Sequence, residues 1–114
     1  MAMIEKIILD YLSTKLTAPV YMEVPENDAG TFVVLEKTSG SESNHIKSAT
    51  IAAQSYADSL AGAASLNELV VSALKDSVEL SAIGGVYVNS SGVNFTNPNK
   101  KRYRYQCVFD FYYS

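Results

Sequence analysis

Residues 102–113 read RYRYQCVFDFYY, and the alternation in this stretch sets the terms for the rest of the chain. Its odd positions are Tyr103, Tyr105, Cys107, Phe109, Phe111 and Tyr113. Its even positions are Arg102, Arg104, Gln106, Val108, Asp110 and Tyr112. Successive side chains of a strand point to opposite faces, so this pattern predicts a strand with one buried face and one wetter face. It is about twelve residues long, where strands usually run to five or six. The odd face is explained by core packing. On the even face, Val108 and Tyr112 are costly to leave in water, and a subunit interface accounts for them.

Moving upstream, TNPNKK (96–101) is a turn-rich link, and IGGVYVNSSGVNF (83–95) predicts a strand around Val86 to Asn89 followed by a turn at NSSG. Residues 58–78 carry Leu60, Ala63, Ala64, Leu66, Val70, Ala73 and Leu74 at helical spacing behind an Asp58 or Ser59 N-cap. Gly62 costs this helix about 1 kcal/mol relative to alanine. Together with Ala63 it marks a surface where something packs closely: its own sheet or a neighbouring subunit. ATIAAQSYA (49–57) and TFVVLEKT (31–38) read as an antiparallel strand pair. Between them SGSESNHIKS (39–48) is polar and without period, which predicts a mobile loop. VYMEV (20–24) is a short strand between two prolines, and PENDAG (25–30) is a turn-rich loop. In residues 3–16, Ile4, Ile7, Ile8, Tyr11, Leu12 and Leu16 form one apolar stripe, an amphipathic helix that Pro19 ends.

The element order is therefore α-β-β-β-α-β-β. It predicts an α+β single domain, residues 1–114, with a mainly antiparallel sheet and both helices packed on one face. The totals agree. A chain of 114 residues that is 47% hydrophobic and 18% charged is globular and of ordinary single-domain size. Its net charge of −3 supplies no global basic field for nucleic acid. The single cysteine makes no internal disulfide, and the pattern shows no membrane span or cleavable leader, so a soluble cytoplasmic protein is expected.

Little here is suited to catalysis. Cys107 falls on the predicted buried face, where a free thiol behaves as a small hydrophobe, and His45, the sole histidine, falls in a polar stretch. Neither a metal-ligand spacing nor a phosphate-binding glycine pattern occurs, so no cofactor and no enzyme activity are expected. The basic cluster Lys100, Lys101, Arg102 and Arg104 leads into tyrosines. It fits a solvated hairpin end whose charges guard a sticky strand, or a nucleic-acid surface built on charge and stacking.

The ordered set of these segments resembles a known family. A short amphipathic helix, then APVYMEVPENDAGTFVVLEKT (18–38), then ATIAAQSYADSLAGAASLNELVVSAL (49–74), then RYRYQCVFDFYY at the close resembles the tail terminator (tail completion) proteins of long-tailed bacteriophages and prophages. The resemblance runs along essentially the whole chain. It implies a non-enzymatic structural protein that forms a hexameric ring, caps the tail tube, ends tail polymerisation and provides the surface that joins the head. The implied partners are other copies of the chain, the tail tube protein and a head-completion or connector protein. DNA passes through the lumen without specific binding, and no membrane is involved. The protein would assemble in the host bacterial cytoplasm and end in the virion tail. Within this frame Gly62, Ala63, Val108 and Tyr112 are candidate interface residues. Ser41, Glu42, Asn44, His45 and Lys47 form a loop that would touch the tube or a neighbour. A head-closure or connector protein of the same neck region, or a small intracellular nucleic-acid-binding domain, is the alternative.

Overall fold

The computed structural model describes residues 3–26, 30–96 and 102–113. Helix α1 (Ile4–Lys15) buries Ile4, Ile8, Tyr11 and Leu12 along one stripe, and a Lys6–Asp10 ion pair at 2.7 Å bridges one turn of its wet side. The chain turns extended at Leu16, and after Pro19 it makes strand β1 (Val20–Tyr21). The expected VYMEV strand is thus only two residues long. It pairs parallel to β2 (Phe32–Ser43), with Val20 opposite Val33.

Strand β3 (Ile46–Ala57) runs antiparallel to β2 from Phe32–Tyr56 to Ser43–Ile46. The expected mobile loop at 39–48 is therefore an extension of this hairpin. Its turn residues Asn44 and His45 both take left-handed backbone angles, φ 53° and 67°, as a two-residue hairpin turn of the I′ type requires. Sequence polarity misled here because the arm projects beyond the helices. With water on both faces, its residues need no apolar alternation.

Helix α2 (Leu60–Lys75) starts at Ser59, whose hydroxyl accepts the Gly62 N–H at 3.0 Å. A 3-10 turn (Asp76–Glu79) follows, then β4 (Ile83–Asn94) and β5 (Tyr103–Tyr113). The expected turn at NSSG is absent. β4 continues past it, with register shifts at Val88/Ser90 and Ser90/Val93 that absorb the extra residues as bulges.

The sheet order is β1-β2-β3-β5-β4. All its neighbouring pairs are antiparallel except β1–β2, and the element order α-β-β-β-α-β-β agrees with the sequence expectation. The β3–α2–β4 segment crosses over β5, which returns to fill the gap. On one face of the sheet Val33, Leu35, Ala49, Ile51, Ala53, Cys107, Phe109 and Phe111 meet the apolar stripes of α1 and α2. The Tyr11 hydroxyl donates to the Ala73 carbonyl at 2.9 Å and locks the two helices together. Among the described residues no helix lies over the other face.

β5, for all its length, does not outlast its sheet and offers no edge for a neighbour to pair with. It lies between β3 and β4, and β3 pairs with it from Lys47–Tyr113 to Ala57–Tyr103. Its length matches the 12 residues of β2, β3 and β4.

Candidate subunit interface

The helix-free face is organised in rows across the strands, and β5 supplies the middle of each row. Arg104 lies opposite Tyr56, which lies opposite Phe32. These side chains stack. Phe32 and Tyr56 are 4.7 Å apart and nearly coplanar, Tyr21 meets Phe32 edge-on, and the Arg104 guanidinium sits between Tyr56 at 5.5 Å and Phe95 at 4.7 Å. Arg102 covers the outer side of Phe32 at 5.1 Å, donates to the Gly30 carbonyl and lies 3.4 Å from the Asp58 carboxylate. The result is a ladder of rings and guanidinium planes reaching every strand or its flank.

The next row continues the hydrogen bonding. Arg104 Nη1 donates to the Tyr56 hydroxyl, Tyr56 to Gln54 Oε1, and Gln54 Nε2 to Gln106 Oε1, at 2.9, 3.2 and 3.0 Å. Two rows further along, Asp110 accepts Thr50 Oγ1 at 2.6 Å and Asn89 Nδ2 at 3.4 Å. The polar groups of this face thus largely satisfy one another. What it offers a partner is mostly shape and apolar area.

Val108 lies between the Gln106 and Asp110 rows, half-buried beside Ala52 and Ser90. Tyr112 is 42% exposed, with Tyr87 against it edge-on at 5.5 Å. Both expected face residues therefore lie on the uncovered side. Ala63 does not: it is completely buried inside its own subunit and has no surface to offer a neighbour. The close approach at Gly62 is likewise internal, since an added Cβ would meet Ser59 Oγ at 2.9 Å and Ala57 Cβ at 3.2 Å. Small residues there serve the packing of α2 on its own chain.

The residues expected to contact a tube or a neighbour sit on the projecting arm. The Ser41 and Ser48 hydroxyls pair at 2.7 Å, Glu42 lies opposite Lys47, and Asn44 and His45 form the tip. A polar groove of about 330 Å³ runs along the arm onto the open face, lined by Ser39, Ser41, Ser48, Thr50, Asp110 and Tyr112. Of the basic cluster, Arg102 and Arg104 belong to the ladder, while Lys100 and Lys101 lie outside the described residues.

Cys107 and His45 are not brought together. Cys107 pairs with Ala53 in mid-sheet, and His45 lies eight residues down the same hairpin, roughly 25 Å away by strand rise. Burial pushes the Cys107 thiol up to about 12, far from a reactive thiolate at neutral pH. Among the described residues no group of three or more His, Cys, Asp or Glu side chains could hold a metal ion, and no helix is long and apolar enough to cross a membrane.

Two features escaped the sequence. Asn67, buried in α2, donates to the Ser91 carbonyl at 2.9 Å beneath the bulged part of β4, beside a cleft of about 500 Å³. Its only trace in the sequence is a polar residue on the buried stripe of a helix. Phe95 completes the open face beyond the expected turn at NSSG, and Tyr87, inside the expected strand, shows its face only through its pairing with Asp110. Neither family models nor curated proteins return a match to this chain.

Proposed function

We propose that this chain is a structural subunit of the tail-terminator type, which assembles with copies of itself into a ring that caps a phage tail tube. The observation that carries the reading is the uncovered sheet face, where Tyr87 and Tyr112 stand exposed beside the half-buried Val108. A free-standing domain gains nothing from leaving these in water. A neighbour that covers them gains apolar area at a reduced polar cost, because the Arg104–Tyr56–Gln54–Gln106 chain and the Thr50–Asp110 pair already bond among themselves.

The projecting arm supports the second half of the reading. Ser41, Glu42, Asn44, His45 and Lys47 reach beyond the body of the subunit, and their hydrogen-bonding surface suits a contact with the tube or with a joining protein of the head. DNA would pass the lumen without being gripped. The nucleic-acid alternative is less well supported, since the guanidinium planes of Arg102 and Arg104 are stacked against Phe32, Tyr56 and Phe95. Binding there would have to displace these contacts. On this reading the protein ends in the virion tail.

Analytical ultracentrifugation over a wide concentration range, with electron microscopy of the largest species, tests the ring. Addition to growing tail tubes tests the cap. Closed rings and arrested tubes are expected. A chain that remains monomeric throughout and leaves tube growth unaffected overturns the reading, and salt-sensitive micromolar binding of duplex DNA would favour the alternative.

A further inference from the structure

The two ends of the sheet are built differently. β4 forms one edge, and among the described residues no strand pairs with its outer side. From Leu80 to Asn99 the sequence contains no Asp, Glu, Lys, Arg or His. Tyr87 and Val93 on this strand are 59% and 54% exposed, and Val88 and Phe95 are exposed as well. Native edge strands normally carry charges that prevent strand addition. Among the described residues the bulges of β4 are the one protection of this edge, and they leave Gly85 to Val88 in regular register with β5.

The opposite edge is β2. There β1 covers only Val33 and Val34, so Leu35 to Ser43 run without a strand on their outer side among the described residues. This edge is charged, with Glu36, Lys37 and Glu42 along it.

We propose that the outer edge of β4 is a strand-addition site whose occupant is the Leu35–Ser43 edge of β2 in a second copy of this chain. The inference rests on the assembly proposed above and adds to its face contact a second contact, at the edge of the sheet. A single copy carries both halves of the contact, at opposite ends of one sheet and of comparable length. Repeating the contact is head-to-tail, the kind of contact that closes into a ring when the rotation permits. Pairing of β4 with another β4 would be two-fold, would stop at a dimer and would leave the β2 edge unused. Pairing of β2 with β2 would likewise be two-fold and would leave the β4 edge unused. The uncharged β4 accepts the charged edge without a like-charge conflict, and main-chain hydrogen bonds supply the affinity. Tyr87 and Tyr112, beside this edge, then fall at the margin of the contact.

The test mixes full-length single-site variants, with buried Cys107 left in place. Tyr87→Cys or Val93→Cys on β4 is combined with Ser39→Cys or Ser41→Cys on β2, all four on the open face, under mild oxidation. Disulfide-linked dimers are expected from at least one β4–β2 mixture and in neither variant alone. Linkage of β4 variants to themselves with equal yield overturns the pairing. So does a ring that forms, by ultracentrifugation, with no β4–β2 linkage at any of these positions; in that outcome the proposed function survives and only this contact is lost. As an independent readout, Val88→Lys with Val93→Lys should abolish the ring-sized species and leave the monomer's melting temperature nearly unchanged. An unchanged ring in that double variant also overturns the proposal. A chain that never assembles overturns both readings together.

Discussion

The side-chain amide of Asn67 donates to the carbonyl of Ser91 at 2.9 Å, so the middle of α2 holds down the bulged part of the edge strand β4. Gly92 completes the contact. A Cβ at this position would run into Asn67 Nδ2, and the backbone holds φ at 155°, which L residues rarely adopt, so glycine is favoured on both counts. Gly92→Ala and Asn67→Ala should each destabilise the fold by about 1–3 kcal/mol, the first by overlap and the second by loss of a buried bond. In combination they should cost less than their sum, because removing the amide makes room for the methyl. Urea unfolding of the four proteins of this cycle measures the coupling. Full additivity would show that the overlap is not what makes Gly92 necessary.

The arm can be strengthened at its tip. His45 holds φ at 67°, a conformation that costs an L residue with a Cβ about 1 kcal/mol or more. Glycine takes it freely, and Asn-Gly is the favoured pair for this turn. His45→Gly should therefore raise the stability of the hairpin by about 1 kcal/mol, less the extra entropy glycine brings to the unfolded chain. Asn44→Val should do the reverse. Amide exchange across Ser41 to Lys47 reports both, with slower exchange expected in the glycine variant.

Cys107 gives the protein an alkaline weakness. In the folded chain burial holds its thiol at about 12, against roughly 8.5 when unfolded. Between these values the unfolded chain has released a proton that the folded chain retains, so stability falls as pH rises. Its contribution is complete below about pH 8 and is lost progressively towards pH 12. From pH 7.5 to pH 10 the loss amounts to about 2 kcal/mol. Cys107→Ala lacks this component, whereas the tyrosines, common to both proteins, largely cancel. Equal pH slopes in the two proteins would contradict the assignment.

What could be read from the sequence follows from where burial is one-sided. The alternation of Tyr103 to Tyr113 and the stripe of Ile4, Ile8 and Leu12 were legible because each element sits half in the core and half in water. The arm beyond Lys37 was not, since it is wet on both faces and its shape comes from the Asn44–His45 turn and cross-strand pairing. β4 was obscured for a related reason. Its bulges at Ser90 and Val93 break the two-residue period, and NSSG offers turn residues that the strand uses as irregularities instead. The position of β5 inside the sheet was also beyond local reading. It is set by the crossover of α2, a long-range choice to which no single residue points. The face that carries Val108 and Tyr112 was legible from period alone, whereas Ala63 illustrates the limit: a small residue on a helix marks close packing without saying against what.

Substitutions on the two faces of β5 should have opposite consequences. Phe109 is completely buried between the sheet and the helices, stacked near Phe111 at 6.3 Å. Phe109→Ala should cost about 3–5 kcal/mol, most of the stability of a domain this size. On the uncovered face, Val108 and Tyr112 flank Asp110, and Glu36 lies in the Val108 row, opposite Ala52. Lysine is therefore the informative replacement, because aspartate would add repulsion inside the monomer. Val108→Lys and Tyr112→Lys should leave the monomer within about 1 kcal/mol of its original stability. Placed in a subunit contact, the same charge must be stripped of water without a partner, which weakens association by several kcal/mol. Thermal melts read the first effect and analytical ultracentrifugation the second. Should Val108→Lys unfold the subunit, or leave an assembled ring unchanged, this face is not where neighbours meet.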